Sequence, residues 1–257
     1  MIIKLHDDNL LKAAGAVGAL LPQAASVAVG ISFIAYFAGW REANAYFTAL
    51  GSPWAVSQLP ASRLLYLSGE LVAGVLMCAF LAVHSLATGT VGLKGLNWCS
   101  AVAFILAGLF AGLTNLPPMT FASPKIVWNL SICAGVCYAV GSGATLGELV
   151  SRLKESELRW TASHAYLIYM AILMGVYLMP SQMGAARAKY HLASLETTLP
   201  AVRLATSVPN ENWRLVETIG ESALLMDRQM ATTKPLFRMV KTTDILSINA
   251  TEIQTTK

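Results

Sequence analysis

The sequence predicts a membrane α-helical bundle of about five transmembrane helices followed by a small C-terminal β domain. Three observations carry that reading. Residues 13 to about 180 contain five long apolar segments, whereas sixteen of the 32 charged residues fall within the last 77 positions. Charged residues make up 12% of the chain, against about 25% in an ordinary soluble domain, and mean hydropathy is +0.56. Beyond Pro200 the apolar period changes from helical to two, the period of a strand.

A bilayer core needs roughly 20 apolar residues per helix, and the expected spans are about 17–40, 64–88, 98–115, 126–149 and 162–179. The first ends in Tyr36, Phe37 and Trp40, rings that favour the headgroup level, and Pro22 kinks it or marks its beginning. Ala43-Asn44-Ala45 has the look of a cleavage site. Asp7 and Asp8 occupy what should be a basic leader, however, and the apolar stretch exceeds a signal core of about 7–15 residues, so the segment reads as an uncleaved span. The loop from Arg41 to Arg63, with Pro53, Trp54 and Pro60, is expected to lie along the membrane surface. Pro117-Pro118 closes the third span, and Pro180 ends or bends the fifth.

Small residues recur every fourth position in the fourth span, at Ser131, Gly135, Ala139, Gly143 and Gly147. Residues four apart share a helix face, so these form one smooth stripe, and close backbone approach over such stripes packs helices in lipid. Ala103, Ala107 and Ala111 form a comparable row in the third span. Packing within one bundle is the first reading of the stripe, and a homo-oligomer interface the second.

Glu70 is the one acid well inside an expected span. It shares a face with Gly74, Cys78 and Ala82 and is expected to point into the bundle, either as a clasp or as a proton or cation site. An ionised group in that position costs ~2.5–3.5 kcal/mol on insertion scales. His84 follows fourteen residues later on nearly the same face, about 21 Å away along the helix. His164 near the start of the fifth span and Asn129 in the fourth complete the intramembrane polar candidates, while Glu148 is expected to reach the headgroups. Cys78, Cys99, Cys133 and Cys137 all lie within or at the edges of apolar segments, where they serve as small packing residues. They form neither a disulfide framework nor a zinc site with His at ligand spacing, so no metal or cofactor is expected.

Five spans put the termini on opposite sides. With the N-terminus inside, the cytoplasmic loops hold Lys4, Lys12, Lys94, Arg152, Lys154 and Arg159. The opposing side then holds Arg41, Arg63, Lys125, Arg187 and Lys189. The denser basic cluster between the fourth and fifth spans favours this orientation, with the C-terminal domain outside the cytoplasm.

After the fifth span, residues 181–199 read as a helical linker closed by Pro200. In 200–257, Val202 and Leu204 flank Arg203, Trp213 and Leu215 flank Arg214, and Phe237 and Met239 flank Arg238. Turn signals fall at Pro209-Asn210, Gly220 and Lys234-Pro235. About five short antiparallel strands follow, with an SH3-like or Sm-like barrel as the expected architecture. The expected core is Trp213, Leu215, Phe237, Met239, Ile245 and Ile248, with the three arginines on the opposite face. So small a domain supplies little core unless it docks on something.

The composition excludes several functions. No dense Lys/Arg run suggests nucleic acid, and no nucleophile constellation, phosphate loop or catalytic cluster of acids, His or Cys suggests an enzyme. The arrangement resembles the small bacterial membrane proteins that end in a compact β domain. That resemblance rests on Gly39-Trp40-Arg41-Glu42, Ala45-Tyr46-Phe47 and Leu50-Gly51-Ser52-Pro53-Trp54. It implies an integral protein of the bacterial inner membrane and carries no functional residue with it. The functional expectation is a non-catalytic membrane protein that binds a protein partner, or its own copies, through the β domain, as a sensor, assembly subunit or toxin-immunity protein. The alternative is an oligomeric channel or proton-coupled carrier using Glu70.

Overall fold

The computed structural model describes the backbone of residues 2–115, 123–154, 162–194, 198–205, 212–227 and 235–249, and the side chains from residue 25 onward, apart from those at 27, 153, 154 and 163. Six helices come first: α1 (Ile2–Leu50), α2 (Ala61–Ala87), α3 (Leu93–Leu113), α4 (Pro124–Lys154), α5 (Ala162–Leu173) and α6 (Met179–Ala193). A 3-10 helix, Pro53–Gln58, joins α1 to α2, and a π-helical turn, Met174–Leu178, joins α5 to α6.

Among the described residues, four helical segments are long and apolar enough to cross a membrane: Ala61–Ala87, Leu93–Leu113, Pro124–Arg152 and His164–Ala193. The expected first span, 17–40, begins among residues whose side chains lie outside the described set. Its backbone is helical throughout, running unbroken past Pro22 for 49 residues, about 74 Å at 1.5 Å per residue. The expected surface loop after Trp40 is therefore corrected. Helix α1 continues to Leu50 and stops at Gly51, whose φ of +89° is the left-handed conformation that ends helices.

The fifth span is also longer than expected. Pro180 neither ends nor breaks it, because the π turn just before it widens the helix where the proline ring and its missing N–H would otherwise conflict with the preceding turn. About two thirds of the expected helical linker, residues 181–193, is thus the continuing helix α6.

The bundle has small residues inside and large apolar residues outside. Trp98, Phe80, Ile105 and Met77 are 74%, 71%, 68% and 65% exposed, while Ala107 and Ala134 are fully buried. Helix α4 is the central element, packed on α2, α3 and α6, and α1 packs on α6 and α2. Single hydroxyls tie the pairs together. Ser68 donates to the Ala35 carbonyl at 2.6 Å, Thr145 to Ser100 at 3.2 Å, Thr114 to Gln182 at 2.9 Å and Tyr138 to the Ala171 carbonyl at 3.1 Å. Ser68–Ala35 with Gly39–Leu64 makes α1 and α2 antiparallel, Thr145–Ser100 with Gly141–Phe104 makes α3 and α4 antiparallel, and Gly184–Glu42 with His191–Tyr46 makes α1 and α6 parallel, so α1, α3 and α6 all end on the side where the sheet sits.

The C-terminal region is an antiparallel sheet of five strands: β1 (Ala201–Leu204), β2 (Arg214–Ile219), β3 (Ser222–Asp227), β4 (Leu236–Lys241) and β5 (Ile245–Asn249). Their order is β4-β3-β2-β1-β5. Gly220, at φ +59°, makes the tight β2–β3 turn. A three-residue 3-10 turn, Thr242–Asp244, carries the chain from β4 across to the far edge. The expected barrel is not formed: among the described residues β5 pairs with β1 alone and β4 with β3 alone, and the sheet stays open between them.

It stays open because one face is already covered. Leu224, Met226, Phe237 and Met239 pack on Tyr46, Phe47, Leu50, Val56 and Ala188 of the helical part. The other face carries its own cluster of Val202, Leu204, Trp213, Leu225 and Val240, with Leu215 and Ile245 packed on it. The single expected core is therefore split. Trp213, Leu215 and Ile245 share one face, Phe237 and Met239 lie on the helix-facing side, and Ile248 is 51% exposed. Arg238 does not oppose the Trp213 cluster, since it pairs across β3 with Leu225, a member of it.

Candidate functional site

The buried charges gather where α1 and α6 meet beneath the sheet. Residues four apart share a helix face, so Glu42 and Tyr46 on α1 confront Arg187 and His191 on α6. Gly184 allows the approach, for a side chain there would strike the Glu42 carbonyl and come within 3.0 Å of the Tyr46 nitrogen. Glu42 is 3% exposed, and its Oε1 lies 2.9 Å from Arg187 Nη1 without the alignment of a hydrogen bond. The Arg187 guanidinium also sits over the Trp128 ring at 5.6 Å, and Trp128 stacks on Tyr190. One turn further on, Tyr46 Oη and His191 Nδ1 are 2.8 Å apart.

Glu42 lies just beyond the expected first span. Burial pushes its carboxyl up to about 7, Arg187 opposes the rise, and the negative charge of Glu70 adds to it. Burial likewise raises the Tyr46 hydroxyl, with Arg187 opposing and Glu217 adding. Beside the cluster, Arg41 lies over the Tyr177 ring at 4.0 Å. The sheet is pinned to the same end by Arg63 Nη2 and Glu217 Oε2 at 2.8 Å.

A second cluster marks the opposite end of the bundle. Glu148, 2% exposed, accepts hydrogen bonds from Arg152 Nε and Nη2 at 3.0 and 2.8 Å, and its Oε1 is 2.9 Å from His164 Nε2. Glu148 therefore does not reach outward; it ties α4 to α5. Twenty residues of α4 separate Trp128 from Glu148, about 30 Å, which matches the thickness of a bilayer core.

The intramembrane polar candidates are not brought together. Glu70, expected to face the bundle, is exposed on α2, as are His84 on α2 and Asn129 on α4. Asn115, at the end of α3, donates to the Ala111 carbonyl of its own helix at 3.0 Å. His164 alone has a buried charged partner. Along the small-residue stripe, Ser131, Gly135, Ala139, Gly143 and Gly147 are all buried. Gly143 meets Cys78 and Ala79 of α2, Gly147 meets Ala82, Ala139 meets Gly74, and Gly135 meets Met183 of α6. The stripe is thus consumed inside one chain. Ala103, Ala107 and Ala111 are buried too, and Ala103 with Phe104 faces Gly141 on another side of α4.

The four cysteines are unpaired thiols. Among the described residues no group of three His, Cys, Asp or Glu could hold a metal ion. A shallow groove of about 290 Å³ at the start of α3 is lined by Lys94, Asn97, Trp98 and Ala101. Sequence reasoning singled out Glu70 and passed over Glu42. The signal for Glu42 was the pair of matching polar rows one turn apart, Glu42/Tyr46 and Arg187/His191. No protein-family model, curated protein or solved structure matches the chain.

Proposed function

We propose that the protein is a non-catalytic, multi-pass integral membrane protein whose helical bundle holds the C-terminal sheet in place and offers its free edge to a protein partner. The observation that carries this reading is the asymmetric use of the sheet. One face is spent on the bundle, through Leu224, Met226, Phe237 and Met239, and the Arg63–Glu217 pair fixes it there. Among the described residues the edge strand β5 is left unpaired on its outer side, with Leu246 and Ile248 exposed. A held sheet with a free apolar edge is suited to strand addition. The five-pass arrangement in a bacterial inner membrane, with the sheet outside the cytoplasm, completes the proposal. Its support is the four apolar helices, the outward-facing large apolar side chains and the two ion clusters a bilayer thickness apart.

A photo-crosslinking residue at position 246, in the full chain in native membranes, tests the reading. Protein adducts are expected there, and lipid adducts at position 80 on the outer face of α2. Absence of protein adducts at 246 overturns the reading. The carrier alternative draws on one observation, the electrostatic closeness of Glu70 to buried Glu42. It expects Glu70→Gln to abolish proton uptake by reconstituted vesicles, and unchanged uptake removes it.

A further inference from the structure

The seat of the sheet and the buried charge cluster are built from the same two helices. On α1, Glu42 is followed by Ala43, Tyr46, Phe47 and Leu50, and on α6 Arg187 is followed by Ala188. Apart from the two charges, these residues form the surface on which Leu224, Met226, Phe237 and Met239 rest. Residues four apart share a helix face, so the sheet sits one to two turns beyond the Glu42–Arg187 contact, on the same α1–α6 seam. Parting the helices at Glu42 therefore also opens the seat.

We propose that Glu42 is a proton-operated latch: protonated, it lets α1 and α6 close beneath the sheet, and ionised, it parts them and loosens the sheet from the bundle. This rests on the partner reading above and regulates the same sheet. The closed geometry suits a neutral carboxyl. Glu42 is 3% exposed, and Gly184 brings α6 so near the Glu42 carbonyl that no added side chain fits between them. Arg187, the cation facing it, stands 2.9 Å away, but its guanidinium also lies over the Trp128 ring. Glu42 Oε1 has no hydrogen-bond partner among the described residues. A buried charge is costly unless it is both paired and hydrogen-bonded, and the closed seam supplies only the pairing.

The other charged and titratable groups around the seam do not make up the difference. Glu70 of α2 acts against ionisation. Arg41, next to Glu42 on α1, is turned onto the Tyr177 ring of the π turn. Arg63 of α2 is paired with Glu217 of β2, and Tyr46 with His191. Burial accordingly raises the Glu42 carboxyl from 4.5 to about 7, with Arg187 opposing the rise and Glu70 adding to it. The folded value lies above the unfolded one, so the closed seam is fully favoured below pH 4.5 and loses that advantage as pH rises through 7. The Arg63–Glu217 pair joins α2 to β2, outside the α1–α6 seam, and keeps the sheet tethered when the seat opens.

The test uses the full chain in nanodiscs and needs no partner, so its result is separate from the crosslink at position 246. Two quantities are followed from about pH 4 to about pH 9, a range that brackets the titration. One is amide hydrogen exchange in β3 and β4, corrected for its intrinsic pH dependence. The other is the infrared band of the protonated carboxyl. In the wild type, exchange in both strands is expected to rise about tenfold or more across that range, while α3 and α4 stay protected. The carboxyl band is expected to fade with the same midpoint. Glu42→Gln, which mimics the neutral acid, is expected to keep both strands protected throughout and to lack the band. Glu70→Gln, at an exposed position, is expected to move both midpoints together to lower pH. Exchange that does not change with pH in the wild type, or that changes equally in Glu42→Gln, overturns the latch. Should Glu42→Gln not fold, Glu70→Gln decides: coincident midpoints uphold the latch, and midpoints that part overturn it. A latch that fails here leaves a protein adduct at 246 standing, and a missing adduct leaves the latch standing.

Discussion

Substitution of Gly143 probes the close approach of α4 to α2. A Cβ built on Gly143 meets the Cys78 Cβ and lies 2.7 Å from the Ala79 nitrogen and 2.8 Å from the Cys78 carbonyl carbon. Carbon atoms rest at about 3.5–4.0 Å, so α2 must withdraw by roughly 1 Å. The last two atoms are backbone and no rotamer change relieves them. Overpacking of this kind costs ~1–3 kcal/mol, and the shift also loosens the neighbouring contacts of Gly147 with Ala82 and of Gly74 with Ala139. Gly112, on α3, has nothing within 4 Å of its Cβ position. There Gly→Ala should stabilise the helix by ~0.5–1 kcal/mol through backbone entropy alone. Unfolding of the two purified variants in the same detergent, followed by helical circular dichroism, should separate them by about 2–4 kcal/mol. If Gly143→Ala unfolds together with Gly112→Ala, then α2 and α4 do not approach over the stripe, and the packing derived from it is wrong.

Glu42 should make stability depend on pH. Its folded carboxyl is raised from 4.5 to about 7, so its stabilising contribution is fully present below 4.5 and is lost as pH rises through 7. At ~1.4 kcal/mol per pKa unit the loss is roughly 3 kcal/mol; Glu42→Gln should flatten denaturation midpoints across that window, and an equally steep profile in the variant counts against the buried carboxyl. Trp213→Ala should cost the sheet ~3–5 kcal/mol and raise hydrogen exchange in β1 to β3 while leaving the helices protected. Phe237→Ala should instead expose the sheet–helix seam to protease, and matching exchange maps for the two variants would refute the two-faced core. Expressed alone, residues 198–257 should lack a stable β spectrum, because Leu224 and Met226 lose their cover; a cooperative melt from that fragment would show the sheet independent of the bundle. Single cysteines at 51 and 123 should label from one side of sealed vesicles and those at 90 and 151 from the other, and any exchange between these pairs removes a membrane crossing.

The positions of the helices were legible because the signals are local. An apolar run of bilayer length, or a small residue every fourth position as at Ser131 to Gly147, needs no knowledge of what lies opposite. The same holds for the strands, whose period of two was readable at Arg203, Arg214 and Arg238. What the runs did not contain was their partners. Glu70 and Glu42 look alike in sequence, and only the meeting of α1 with α6 buries Glu42 against Arg187 while α2 turns Glu70 outward. Pro180 reads as a stop or a bend, but the π turn before it absorbs the conflict, and no residue in Met174–Leu178 announces that. The sheet was read as a closed barrel because alternation fixes two faces without saying what covers each. The helical end formed by Tyr46, Phe47, Leu50 and Ala188 covers one of them, so Phe237 and Met239 separate from Trp213 and the sheet stays open. Sequence by itself determined the elements and their membrane-length apolar surfaces, since those depend on neighbours in the chain. Which charges are buried, and which edge is left free, depends on long-range packing that tertiary structure alone decides.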